Sequence, residues 1–255
     1  MKTFKGKVSV VMPAYNESEH IFKNIRETQK VFDEIGCSYE IIVVNDGSPD
    51  TTLEEARRAA TGYQNIVVRS HRNNYGKGRT IKMGCRFAKG DLVLFLDADL
   101  DLHPGQIQIL FAEMNLRDAD VVIGSKRHPD SVVNYPWHRR IISAVYYFII
   151  KIFFGLPVRD TQTGIKLFKQ EVVAKVFPRL LVKRYAYDLE ALILAHHFGY
   201  SVAEAPVTLN FQRKFGRIRF GDIYLTWLDT MAIFYRLYLL KYYDKISGES
   251  DDKTE

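Results

Sequence analysis

The stretch Leu92-Val-Leu-Phe-Leu-Asp-Ala-Asp-Leu-Asp-Leu-His-Pro104 decides how the rest of the chain is read. Five consecutive apolar residues, Leu92 to Leu96, suit a strand buried on both faces. Where that strand should end, Asp97, Asp99 and Asp101 follow at alternate positions. Residues two apart in an extended chain face the same way, so the three carboxylates are expected to converge. Like charges at that spacing repel, and hard oxygen donors of this kind favour Mg²⁺ or Mn²⁺.

Working outward, the first 125 residues alternate strand and helix patterns. KVSVVMP, YEIIVVND, NIVVRS, DLVLFLD and ADVVIGS read as strands. Between them lie helical stretches: one opened by Asn16 to Ser18 and running to Gly36, one near SPDTTLEEARRAA with Ser48 or Asp50 as N-cap, then GKGRTIKMGCRFA and HPGQIQILFAEM. Near-continuous apolar strands with intervening helices imply an α/β fold, a Rossmann-like and mostly parallel sheet with helices on both faces. Such sheets bind ligands at the carboxyl ends of their strands. Five polar segments fall on that edge: Pro13 to Glu17, Asn45 to Ser48, Asn73 to Lys77, Asp97 to Asp101 and Gly124 to Arg127.

The second half carries PWHRRIISAVYYFIIKIFFGL, an apolar helix, then RDTQTGIKLF, a loop feeding a short strand, and YAYDLEALILAHHFGY, a helix. SVAEAPVTLNF is extended, QRKFGRIRF is a basic loop, and GDIYLTWLDTMAIFYRLYLLKYYDK reads as one long aromatic-rich helix.

The chain has 255 residues, 47% hydrophobic and 26% charged, with a net charge of +6. That length supports a substantial core. The two cysteines, Cys37 and Cys85, form no disulfide or metal pattern, and no apolar run is long enough to span a bilayer. No leader pattern precedes the first strand, so the expected location is cytoplasmic, peripheral on the cytoplasmic face of a membrane. The basic residues gather around the expected pocket, and no nucleic-acid-binding motif is present, so no nucleic acid is expected as partner.

Taken together, PAYNE (13–17), NDGS (45–48), DAD (97–99) after an apolar strand and GSKR (124–127) resemble the inverting family 2 glycosyltransferases of the GT-A fold. RDTQTGIKLF (159–168) and YAYDLE (185–190) narrow the resemblance to the polyprenyl- and dolichyl-phosphate hexose synthases, with the glucosyl branch nearer than the mannosyl. The resemblance implies a nucleotide-sugar donor, UDP-glucose or GDP-mannose, and a polyprenyl-phosphate acceptor. It places the nucleoside against Pro13, Tyr15, Glu17 and Asp46, with Lys77 adding positive charge. Asp97 and Asp99 would hold donor and metal across the diphosphate, and Asp101 stands where the mannosyl branch has a glutamine ligand. Lys126 occupies the arginine position of the family's GSR and Arg127 follows, either being the contact to the acceptor phosphate. Arg139, Arg140 and Arg159 add to the acceptor side. Arg213, Lys214, Arg217 and Arg219 form an acid-free loop suited to closing over the diphosphate. Asp188 and Glu190 sit where sugar-acceptor relatives keep a base, and both are assigned a sugar-positioning or structural role here.

Residues 1–220 are expected to form the glycosyltransferase domain, 221–245 an amphipathic helix and 246–255 a disordered tail. The tyrosines, tryptophan and lysines of that helix suit a membrane interface, and packing against a second copy in a homodimer is the competing account. Two further readings differ in chemistry: transfer to a sugar hydroxyl, which needs a base, and a membrane-associated binding protein without catalysis.

Overall fold

A computed structural model describes residues 4–133, 137–183, 186–209 and 220–245. Its centre is a seven-stranded sheet: β1 (Lys7–Ala14), β2 (Ser38–Asn45), β3 (Ile66–Ser70), β4 (Leu92–Leu96), β5 (Val121–Ser125), β6 (Ile165–Lys169) and β7 (Val202–Pro206). Their order is β3-β2-β1-β4-β6-β5-β7. All pairings are parallel except those of β6, which runs antiparallel between β4 and β5. All five residues of β4 are buried, as its unbroken apolar run requires.

Alternation along the strands supplies two apolar surfaces, each covered by helices. One layer holds α1 (Ile21–Ile35), α2 (Thr52–Ala60) and α4 (Ile107–Arg117), which bury Ile25, Phe32, Ala56 and Leu110 against Val10, Val43 and Leu94. The opposite layer holds α3 (Lys77–Cys85), α5 (Trp137–Phe154), α6 (Gln170–Val176), α7 (Tyr187–His197) and α8 (Phe220–Phe234), packed against Val11, Val44, Phe95 and Phe168. This is the expected α/β architecture.

Several boundaries differ from expectation. α1 begins at Ile21, because Glu17 to His20 form a turn in which the Glu17 carbonyl accepts from the amides of His20 and Ile21. It ends at Gly36, whose φ of 74° is the left-handed conformation that closes helices. Asp50 rather than Ser48 serves the start of α2, accepting from the Thr52 amide at 3.1 Å. The last segment is not one continuous helix. A π-helical turn, Tyr235–Leu239, follows α8, and Lys241 at φ 48° redirects the chain into the short α9 (Tyr242–Lys245). Its inner face belongs to the core through Ile233, Leu237 and Tyr243.

Candidate active site

The loops at the carboxyl ends of β1 and β2 are laced together. The Asp46 amide donates to the Ala14 carbonyl at 2.9 Å, the Asn16 amide to Ser48 Oγ at 3.1 Å, and the Glu17 amide to Thr52 Oγ1 at 2.8 Å. Pro13 closes this rim from within β1, and the Tyr15 ring is exposed beside it. Asp46 is buried, and its two carboxylate oxygens each accept a backbone amide, from Tyr75 and Gly76, both at 2.9 Å. It therefore shapes the turn that leads into α3. Gly47 meets the same turn so closely that a Cβ there would stand 2.4 Å from the Asn73 carbonyl carbon. Tyr75 is braced between Arg79, 4.4 Å from its ring centroid, and the His71 ring.

Lys77, the first residue of α3, extends Nζ to 2.5 Å from Asp97 Oδ1. Burial alone would lower its pKa, but Asp97, then Asp188 and Asp99, outweigh this and raise it. Asp97 itself abuts the loop before β6: a Cβ on Gly164 would lie 2.3 Å from Asp97 Oδ2. Only a glycine permits that approach.

The expected convergence of Asp97, Asp99 and Asp101 along an extended chain is corrected. β4 ends at Leu96, and Leu100 at φ 53° turns the backbone so that the Asp101 amide donates to Asp99 Oδ1 at 3.2 Å. The carboxylates still act on one another. Burial, then the charges of Asp97 and Asp101, push the Asp99 carboxyl up to about 6. Among the described residues, no three acidic, histidine or cysteine side chains stand close enough to enclose an ion by themselves. A pair of carboxylates with excess negative charge nonetheless fits Mg²⁺ or Mn²⁺, which take one or two protein carboxylates and complete their shells with substrate phosphates and water.

Asp188, which also acts on Lys77, belongs to a pair that the sequence did not disclose. Lys166, from the antiparallel strand β6, reaches Asp188 Oδ1 at 2.7 Å, with both residues buried. Asp188 also accepts from Tyr187, whose hydroxyl is raised well above its ordinary range by burial, then by Asp188 and Asp97. Lys166 stands between the buried apolar residues of β6.

Lys126 and Arg127 directly follow β5. Asp160 Oδ2 accepts from the Lys126 amide at 3.0 Å and from Thr163 Oγ1 at 2.7 Å, fixing the DTQTG loop against this strand end. The amides of Arg159 and Asp160 both donate to Glu204 Oε1. Arg127 lies over the ring of Tyr147 on α5, 5.2 Å from its centroid. The structure thus gathers Glu17, Asp46, Lys77, Asp97, Asp99 and Asp101 on one edge. Arg213, Lys214, Arg217 and Arg219, and the side chains of Arg139 and Arg140, lie outside the described residues.

Comparison with known proteins agrees with this geometry. The chain is 34% identical over 212 residues to dolichyl-phosphate beta-glucosyltransferase ALG5A of Trichomonas vaginalis, a match covering 80% of this chain and 65% of that protein. It is 32% identical over 215 residues to the Drosophila melanogaster dolichyl-phosphate beta-glucosyltransferase, covering 79% and 66%. The chain thus spans about two thirds of the length of these relatives. Among solved structures, glucosyl-3-phosphoglycerate synthase of Mycobacterium tuberculosis superposes with a TM-score of 0.67 at 18% identity, covering 90% of this chain and 79% of that one. That enzyme was crystallised with Mn²⁺, UDP-glucose and phosphoglyceric acid. The model of glycosyl transferase family 2 matches residues 9–177. With the acidic strand tip, the laced β1 and β2 loops and this match in register, the chain belongs to glycosyl transferase family 2.

Proposed function

We propose that this protein transfers a hexose from a nucleotide-diphospho-sugar, with UDP-glucose favoured over GDP-mannose, to a polyprenyl phosphate of the dolichyl type at a membrane surface. The observation that carries this reading is the buried Lys166–Asp188 pair at 2.7 Å. A sugar hydroxyl must lose its proton to a base that reaches it. Asp188, at the position where a base would stand, is 5% exposed and bound by a lysine. A phosphate acceptor needs no base, because its oxygen is already anionic. The similarity to dolichyl-phosphate beta-glucosyltransferases points to the same acceptor.

In the reaction, the bond between the anomeric carbon and the β-phosphate oxygen breaks, its electron pair leaving with the nucleoside diphosphate. An oxygen of the lipid phosphate forms the new bond from the opposite face, which inverts the carbon. Asp97 and Asp99 would hold Mg²⁺ or Mn²⁺, which supplies charge neutralisation for the departing diphosphate. Lys77 adds a fixed cation beside them. Lys126 and Arg127, at the end of β5, favour the second anion.

The lipid surface is supported by apolar side chains on adjoining helices. Phe148 and Ile152 of α5 are 61% and 78% exposed, Tyr224 of α8 is 62%, and Leu239 is 67%. The two helices are joined by an aromatic cluster, Phe153, Phe154, Phe234 and Tyr238. Apolar groups concentrated in this way suit the headgroup boundary of a bilayer. No helix among the described residues is long and apolar enough to cross a membrane.

The test is incubation of the full chain with radiolabelled UDP-glucose or GDP-mannose, Mn²⁺ and dolichyl phosphate in vesicles. Label should enter the organic phase with release of the nucleoside diphosphate, and the productive nucleotide sugar identifies the donor. Absence of lipid-linked label with both donors overturns the proposal.

A further inference from the structure

Glu190 is fully buried, and each of its carboxylate oxygens is occupied. Oε2 accepts from the amides of Leu181 and Val182, at 3.0 and 2.8 Å. Oε1 accepts from the Tyr243 hydroxyl at 2.5 Å and from Arg236 at 3.3 Å. One side chain on α7 therefore joins two segments far apart in sequence: an irregular loop before α7 and the turn that closes the C-terminal helix. A buried carboxylate is costly, and an apolar side chain of similar size would fill the space more cheaply. What the charge adds is a fixed geometry.

That loop is in turn the support of α3. The Lys183 carbonyl accepts the Gly78 amide at 2.9 Å, and the Leu180 carbonyl accepts Lys82 Nζ at 3.1 Å. Gly78 is one of the first residues of its helix, so its amide has no partner within the helix and depends on the loop. The two segments touch closely: a Cβ on Gly78 would stand 2.7 Å from the Val182 carbonyl oxygen. The residue preceding Gly78 is Lys77, whose ammonium meets Asp97. A continuous series of contacts thus runs from the C-terminal helix through Glu190 and residues 181–183 to the carboxylate edge.

We propose that Glu190, Arg236 and Tyr243 are positioning residues for the donor site, holding Lys77 against Asp97 by bracing the loop on which α3 begins. This rests on the glycosyltransfer reading for its consequence, since what they position is the cation beside the diphosphate. It also gives the inner face of the C-terminal helix a role distinct from its exposed apolar face. The helix that would meet lipid on one side is bonded to the donor site on the other.

The experiment uses the full chain with Tyr243→Phe and Glu190→Gln. As control, Tyr146→Phe removes a contact between α5 and α8, to Thr230 Oγ1, without touching Glu190. Hydrogen exchange of the unliganded protein reads the brace directly. Amides of residues 76–83 should exchange about tenfold faster in Tyr243→Phe and Glu190→Gln, and at the wild-type rate in Tyr146→Phe. Titration with UDP and Mn²⁺ reads its consequence, as an affinity about tenfold weaker in the first two variants only, the scale of one lost charge-assisted bond. Unchanged exchange at residues 76–83 overturns the proposal. So does faster exchange with wild-type nucleotide affinity, because the brace would then position nothing. If the wild type itself binds no UDP or GDP with Mn²⁺, the glycosyltransfer reading fails and the positioning role fails with it, while the exchange data still decide whether the brace exists.

Discussion

At the scale of single residues, the carboxylates of this chain fall into two populations according to what neutralises them. Glu40 is held by Lys7 at 2.8 Å and by Ser9, and Asp120 by Lys169 at 2.7 Å. Asp97 meets the ammonium of Lys77, while Asp99 stays crowded by the charges of Asp97 and Asp101. Removing one of the crowded charges should relieve repulsion and destroy function together. Asp99→Asn should melt at or above the wild-type temperature in metal-free buffer. It should also lose metal-dependent donor binding and about 100-fold or more in turnover, the usual cost of deleting one electrostatic contributor to a transition state. Calorimetry with and without Mn²⁺ checks both halves. Gly164→Ala tests the approach to Asp97, since its methyl would collide with Oδ2. Its φ lies outside the left-handed range, so the fold should survive. Turnover should fall at least about tenfold as Asp97 is displaced, consistent with the sensitivity of catalysis to shifts of about an ångström. The aspartates and the motif glycines beside β1, β2 and α3 were legible in the sequence because they punctuate apolar strands at the edge where such sheets bind ligands. Lys166 was not, and Glu190 was marked only through the resemblance carried by YAYDLE. A buried lysine on a five-residue strand differs from a surface lysine only by its partner, and that partner is 22 positions further along the chain.

At the scale of elements, β6 is the part that departs most from sequence reading. The run IKLFK identifies a strand, but nothing in it specifies a central position or reversed direction. The seven-residue α6 after it went unread, for it is too short to display helical period clearly. The reversal carries Lys166 into the site, and its cost should be measurable. Lys166→Met alone leaves Asp188 buried without its partner and should destabilise by about 3–5 kcal/mol, whereas Lys166→Met with Asp188→Leu should recover most of that loss. Urea unfolding of the double-mutant cycle gives the coupling directly. The C-terminal helix was legible as aromatic and amphipathic, but not its interruption, because Lys241 adopts a left-handed conformation without a glycine to announce it. Since Ile233, Leu237 and Tyr243 are core residues, deleting the segment would confuse folding with docking. Glutamine at Phe148, Ile152 and Leu239 instead alters exposed positions only. The triple variant should keep its melting temperature and lose most flotation with anionic vesicles, and flotation at the wild-type level would defeat the membrane-surface reading.

Across the whole molecule, the two ends of the sheet divide stability from function. The amino-end carboxylates Glu40 and Asp120 are both lowered in pKa: burial opposes this, but Lys7 and Ser9 outweigh it for Glu40, and Lys169 and Ser201 for Asp120. Because the folded values lie below the unfolded ones, their stabilisation is complete above the ordinary carboxylate pKa of about 4 and is lost as pH falls below it. Glu40→Gln with Asp120→Asn should therefore flatten the acid limb of the stability curve below about pH 4. At neutral pH it should lower the melting temperature while leaving the KM for donor unchanged. Thermal melts from pH 3 to 7, beside steady-state kinetics at pH 7, provide the measurement.

The place of β6 also bears on how the chain matures during synthesis. Strands β1 to β4 pair mainly with neighbours that have already been made, and β3-β2-β1-β4 can assemble as soon as residue 96 is available. β5 has no such partner: it must wait, apolar and unpaired, until β6 has been translated and wedged beside β4. The interval runs from residue 125 to residue 165, a few seconds at ordinary ribosomal speeds of about 5–20 residues per second. During that delay the nascent protein is a half-finished sheet with a waiting strand, which makes this window, more than the release of the finished polypeptide, the moment when a chaperone would matter.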